Sequence, residues 1–281
     1  MANPKLSIVL IDWSARESFH ILKYLSEQTE PRDHYEIIWV EFYGSRAAMR
    51  YEADKFIVLN IPERVCYHKH LLYNVGLSRA RGEIVLFCDS DAIVRESFVS
   101  SILRAFEQRT NIVLHLDQVR NHAKRFYPFS FPSIEDVLGK GCHNWRNGTT
   151  IGLLDTTDPL HRRNYGACMA ARRADLIKIG GADEHFDYLG YICGPYDMTF
   201  RLVNAGVAEL WHPKEFTYHV WHPNEGGARD HEGPHDGKKM SSRALANRDS
   251  KRVLPFVENP LIRNPACAQY VSQAQINRWT L

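Results

Sequence analysis

The stretch ARGEIVLFCDSDAIV, residues 80–94, carries the strongest fold signal in the chain. Its apolar run from Ile84 to Cys88, bounded by Gly82 and Asp89, is too short for a helix. It suits a strand buried on both faces of a parallel sheet. The run delivers two carboxylates, Asp89 and Asp91, at its carboxyl end. In open α/β sheets ligands bind outside that edge, and Mg2+ or Mn2+ there takes one or two carboxylates together with substrate phosphates. The same residues also suit a turn that caps a helix expected over 95–108, because Asp and Ser are ordinary N-cap residues.

Upstream, KLSIVLID (5–12) reads as a first strand, SFHILKYLSEQ (18–28) as an amphipathic helix and YEIIWVEFYGS (35–45) as a second strand closing on a Gly-Ser turn. KFIVLNIP (55–62) is a third strand, followed by a helix over 67–79, so that 80–94 supplies the fourth. Strands and helices that alternate in this way predict an α/β fold, a Rossmann-like, mostly parallel sheet with helices on both faces. Residues 116–163, rich in aromatic, Pro, Gly and Asn residues, break the rhythm and read as loops and short elements. Order resumes at NYGACMAARRADLIKIGG (164–181), a strand feeding a helix that stops at Gly180-Gly181, and at YDMTFRLVNAG (196–206), a helix with a glycine end signal. KEFTYHVW (214–221) is a short strand, and EGGARDHEGPHDGKKMSS (225–242) opens a polar tail expected to be flexible.

The 281 residues, 44% hydrophobic and 24% charged, are those of an ordinary globular protein. A net charge of +2 without a long basic run excludes an electrostatic footprint for nucleic acid. No stretch is long and apolar enough for a transmembrane segment, and MANPKLSIVLIDW is too abruptly polar for a secretory signal, so the cytoplasm is the expected compartment. The six cysteines form no CxxC pair, which favours reduced thiols over disulfides or zinc.

Taken in order, SIVLIDW, EIIWVEFYGS, NVGLSRARGEIVLFCDSDA, YGACMAARRADLIKIGGADEHF, YDMTFRLVNAG and YHVWHP resemble a GT-A fold glycosyltransferase, closest to glycosyltransferase family 2, over about 5–223. The resemblance implies a metal-dependent transfer of a sugar from a nucleotide diphosphate donor, a UDP-sugar first, to the hydroxyl of a carbohydrate or other acceptor. It divides the chain into a nucleotide-sugar half (1–115), an acceptor and catalytic half (116–223) and a C-terminal lid and tail (224–281). On the donor side it places Ile11, Asp12 and Trp13 beside the base, Glu41 on a uracil N–H, Lys69 and Asn74 near the diphosphate, and Asp89 and Ser90 at the ribose or metal. Asp89 and Asp91 then ligate Mn2+ or Mg2+, with His219 as the further ligand and His222 as second choice, an imidazole suiting Mn2+ better.

Family members that invert usually carry an acidic pair where this chain has Gly194 and Pro195. The remaining candidates for the base are Asp197, whose other role is an i,i+4 ion pair with Arg201, and Asp183 and Glu184, with Asp187 nearby. Inversion is favoured, and loss of the pair leaves room for retention with the leaving phosphate as base. Trp145, Trp211 and Trp221 offer flat faces for a sugar ring or for packing, and His231, His235, Lys238 and Lys239 offer groups that close over the diphosphate. The rival readings are a nucleotidyltransferase, whose Gly-rich loop after the first strand is missing from IDWSARES, and a sugar-nucleotide or glycan-binding protein without catalysis. The sequence leaves a homo-oligomer open.

Overall fold

A computed structural model describes residues 3–13, 19–44, 52–151, 163, 168–190, 195–223, 231, 233–234, 240–267 and 269–280. In chain order its strands are β1 (Leu6–Asp12), β2 (Tyr35–Glu41), β3 (Lys55–Val58), β4 (Ile84–Asp89), β5 (Ile112–His115), β6 (Gln118–Asn121), β7 (Trp145–Arg146), β8 (Thr149–Thr150), β9 (Cys168–Arg172), β10 (Ala208–Trp211) and β11 (Thr217–Val220). Its helices are α1 (His20–Ser26), α2 (Lys69–Arg79), α3 (Phe98–Gln108), α4 (Ile134–Leu138), α5 (Arg173–Lys178), α6 (Tyr196–Asn204), α7 (Ser242–Asp249) and α8 (Gln273–Trp279).

Seven strands make one sheet in the order β10-β5-β9-β4-β1-β2-β3. β1 sits between β2 and β4, parallel to both, and every one of its side chains is buried, as is every one of β2. That is why both read as nearly continuous apolar runs. β9 alone runs against its neighbours, slotted between β4 and β5. Alternate residues serve opposite faces. Val9 and Ile11 pack with Leu71, Val75 and Leu202 of α2 and α6, while Ile8 and Leu10 pack with Ile21, Phe98 and Ile102 of α1 and α3.

The NVGLSRARGE block (74–83) owes its spacing to close packing. A Cβ on Gly76 would lie 2.2 Å from Val9 Cγ1, and one on Gly82 would lie 2.6 Å from the Ser7 backbone nitrogen. Both contacts are far inside van der Waals distance, so α2 and the turn after it can lie on β1 only without side chains there. Buried Glu36 fastens the same end of the sheet, accepting from Ser7 Oγ and the Arg81 backbone N–H at 2.7 Å each and from Lys55 Nζ at 3.0 Å.

Five strands go beyond the sequence expectations: β5 and β10, which extend the main sheet, β6, which pairs in parallel with the expected β11, and the two-residue β7 and β8, which pair with each other. All five are four residues or shorter, too short to show a period. The expectation of a flexible tail fails for residues 240–280. Met240 and Ala244 pack on Tyr196 and Phe200, and α8 carries Trp279, 1% exposed, against the His68 ring at 4.5 Å. The Cys66 N–H donates to the Trp279 carbonyl at 2.9 Å. Most of 224–239, including the lid candidates His235, Lys238 and Lys239, lies outside the described residues, as does Gly194; His231 is described and its ring meets Phe186 at 4.5 Å. Among the described residues no helix is long and apolar enough to cross a membrane.

Candidate functional site

The carboxyl ends of β1, β2 and β4 lie side by side, with Asp12 in register with Glu41 and Ile11 with Asp89. β4 ends in the Asp-Ser-Asp turn, and the turn is tied down from three directions. Ser90 Oγ donates to Asp12 Oδ2 at 3.0 Å, and Lys69 Nζ, at the start of α2, donates to Asp89 Oδ1 at 2.8 Å. His20 Nε2, on α1, donates to the Asp91 carbonyl at 2.8 Å, and its ring is stacked on Phe129 with centroids 3.7 Å apart. Burial works against the charge of Lys69, but the Asp89 carboxylate beside it, together with Tyr67 and Asp91, more than offsets this and leaves the ammonium harder to deprotonate than usual.

β11 brings two imidazoles to the same turn. Asp91 Oδ2 lies 3.1 Å from His219 Nε2 and 3.2 Å from His222 Nε2, and the two nitrogens are 3.2 Å apart. His222 Nδ1 is 2.9 Å from the Pro223 carbonyl, which can only accept, so Nδ1 holds the proton of the neutral ring. Its Nε2 lone pair then faces a carboxylate oxygen. Two lone pairs at that distance repel unless a proton or a cation lies between them, and one carboxylate with two imidazoles is a donor set for a divalent transition-metal ion, Mn2+ among them. The side chains are 9%, 11% and 21% exposed, enclosed yet reachable. Asp91, His219 and His222 therefore fit a divalent cation. Asp89, expected as a further ligand, instead accepts from Lys69 and is not part of this cluster.

Next to the turn is a buried aromatic wall. Trp13 meets Tyr67 edge-on at 5.5 Å and Tyr67 meets Phe42 at 5.3 Å, beside the fully buried Glu41. Two residues expected at the donor do other work. The Ile11 side chain is core, 3% exposed. Asn74 is fully buried with its amide spent on the 182–184 loop: Nδ2 donates to the Ala182 carbonyl at 2.8 Å and to Glu184 Oε1 at 2.9 Å, and Oδ1 accepts from the Ala182 N–H at 2.8 Å.

The three candidate bases are buried and hydrogen-bonded. Asp197 Oδ1 accepts from Tyr188 Oη and Asn247 Nδ2, and Oδ2 accepts from Arg201 Nε at 2.9 Å and Nη2 at 2.8 Å. Burial would raise its pKa, but the Arg201 guanidinium together with His70 and the Asn247 amide outweighs burial and holds the carboxyl below its usual range, which makes it a weak base. Asp183 accepts from the backbone N–H groups of His185, Phe256 and Val257. Glu184 accepts from Asn74, Asn259 and Gln275, and burial pushes it up to about 7. Asp187 is held by Arg243 at 2.5 Å. Trp145 and Trp211 pack edge-on against Phe216 and flat on His115, whereas Trp221 adjoins His222 with Tyr127 at 6.0 Å and Lys124 at 5.3 Å.

Sequence reasoning missed His20, Phe129 and Tyr67. Nothing local marks them, because each acts through a contact between distant parts of the chain. The missed His20 is a positioning residue that fixes the backbone of the Asp-Ser-Asp turn.

A family model described as glycosyl transferase family 2 matches residues 22–180, more than half of the chain. Among solved structures, residues 1–349 of S. aureus TarS in complex with UDP-GlcNAc superpose with a TM-score of 0.59 at 13% identity, over 98% of this chain and 78% of that one. The same TarS residues without that ligand give 0.52 at 14% identity over 77% and 60%. A further S. aureus TarS structure gives 0.54 at 14% identity over 96% and 50%. The chain thus spans from half to about four-fifths of these neighbours, and at such identity the likeness is one of fold. A comparison with curated proteins gave no match.

Proposed function

Because the chain belongs to glycosyl transferase family 2 and is a glycosyltransferase, we propose that it moves a sugar from a UDP-sugar to an acceptor hydroxyl with a divalent cation held by Asp91, His219 and His222. The observation that carries the proposal is the convergence of that carboxylate and those two imidazoles on one point beyond the β4 edge. The solved complexes of TarS with UDP and with UDP-GlcNAc support a uridine donor on this fold.

In this reading Glu41 accepts the uracil imide N–H, with Asp12 and the Trp13 and Tyr67 rings as the walls of the base site. Asp12 also keeps Ser90 in place, and Lys69 and His20 keep the Asp-Ser-Asp turn rigid, so that Asp91 meets its partners without reorganisation. A bound cation supplies Lewis-acid stabilisation of charge on the leaving diphosphate. Asp183, Glu184 and Asp197 are engaged by buried donors, and in this reading the acceptor proton leaves through another group. A cytoplasmic location is in keeping with Cys88 and Cys168, which face each other across β4 and β9 as free thiols.

The test is a thermal-stability screen of nucleotide sugars with and without Mn2+, since a ligand that binds only the folded state raises the melting temperature by mass action. The expected result is a shift for UDP and a UDP-sugar that needs both Mn2+ and Asp91. Equal shifts in chelator, or a preference for another base, would overturn the reading.

A further inference from the structure

Resting on that reading, we infer that Arg120 is a phosphate-binding residue of the site, placed by β6 beside the cation ligands. β6 and β11 pair in parallel with His219 opposite Arg120 and Thr217 opposite Gln118. Register partners on adjacent strands project from the same face, with backbones about 4.8 Å apart. The other face of this ribbon is accounted for: Val119, Tyr218 and Val220 are packed in an apolar cluster with Ile93, Phe126 and Val137. Arg120 therefore shares the face of His219, which points at Asp91. Its side chain is confirmed on that side by the Nε hydrogen bond to Gln118 Oε1 at 2.5 Å.

The backbone of Arg120 is equally well fixed. Its N–H donates to Asn144 Oδ1 at 2.9 Å, and its carbonyl accepts from the His143 N–H at 3.3 Å. The Nε bond fixes the plane of the guanidinium, while its two terminal nitrogens hold no hydrogen bond among the described residues. The residue is half-buried. A planar fork of donors held open in this way matches two oxygens of one phosphate.

Charge balance asks for such a group. Asp91 cancels one charge of a divalent ion and the imidazoles cancel none, which leaves too little positive charge for a departing diphosphate. Lys69 is already paired with Asp89, and Arg163 with Asp117 at 2.7 Å. Arg120 is placed to add the missing charge. The phosphate it binds is either that of the donor diphosphate or one carried by the acceptor.

Calorimetry separates these sources. UDP and uridine, each with Mn2+, are titrated into wild-type protein, Arg120→Gln and Arg120→Lys, and inorganic phosphate is then titrated into each protein saturated with UDP and Mn2+. A loss of about 10- to 100-fold in UDP affinity for Arg120→Gln, with uridine unchanged and part of the loss restored in Arg120→Lys, assigns Arg120 to the donor diphosphate. Unchanged UDP binding, with phosphate binding present in wild type and lost in Arg120→Gln, assigns it to an acceptor phosphate. If wild type binds UDP and both titrations are the same in all three proteins, the inference falls while the donor reading stands. If wild type binds neither UDP nor phosphate, both fall together.

Discussion

At the scale of single residues, the site is a set of charges whose partners decide their use. Glu41 and Asp197 are both fully buried carboxylates, yet they serve different ends. Asp197 is saturated by Arg201, Tyr188 and Asn247, whereas Glu41 ends β2 at the ligand edge in register with Asp12. Glu41→Gln is accordingly expected to weaken UDP by about 1–3 kcal/mol, the scale of a hydrogen bond to a charged group. Calorimetry that gave the same UDP affinity for both proteins would remove Glu41 from the base site. His219→Ala takes away one of three converging ligands. Losing even an outer-shell partner costs about 10- to 100-fold in metal affinity, so loss of a ligand is expected to cost at least about 100-fold. Mn2+ titration followed by electron paramagnetic resonance measures this directly, and undiminished Mn2+ affinity would place the cation elsewhere.

At the scale of elements, the C-terminal segment is part of the fold. Ser272 caps α8 and accepts from the Gln275 N–H at 3.2 Å, and Gln275 in turn reaches Glu184 at 2.8 Å. Trp279 closes the helix by filling the space beside His68 and bonding the chain just before α2. Its burial among apolar neighbours is why His68 is held down to about 3: removal from water disfavours the imidazolium. Trp279→Ala is expected to destabilise the protein by about 3–5 kcal/mol, the range for truncating a buried aromatic side chain. Because Trp279 supports the start of α2, where Lys69 meets Asp89, the variant is also expected to bind UDP with Mn2+ more weakly near its melting transition. A urea midpoint equal to that of wild type would show that α8 is only loosely attached.

At the scale of the whole molecule, the 183–201 region joins α2, α6, α7 and the C-terminal segment through buried ionisable groups, and this makes stability depend on pH. Glu184 titrates at about 7 in the folded protein because of burial, well above the 4.5 of an ordinary glutamate. Between those two values the folded state keeps a proton that the unfolded chain has released. The stabilising contribution is therefore complete below about pH 4.5 and is lost as pH rises through 7, with a size of order 3 kcal/mol. Glu184→Gln cannot titrate. Melting temperatures across pH 5–8 are expected to show wild type losing ground to the variant as pH rises. A difference between the two that stays constant over this window would mean that Glu184 is ionised throughout.

The sequence by itself determined five of the seven strands of the main sheet and the edge on which the site stands. The runs 8–11 and 84–88 are apolar at every position because both faces are covered, and this property is written locally. Asp91 could be named because it follows the end of a buried strand, while His219 and His222 were named through the family resemblance of YHVWHP. The tertiary structure alone decided which groups meet. Asp91 is 128 residues from His219 and 131 from His222, and only β11 closing against the turn brings them together. It also gave Asn74 to the 182–184 loop, spent the carboxylates of Asp183, Glu184 and Asp197 on buried donors, and set Arg120 beside His219. A carboxylate has the same composition whether it is a base, a ligand or a strut, and its role follows from the partners that folding brings within hydrogen-bond reach.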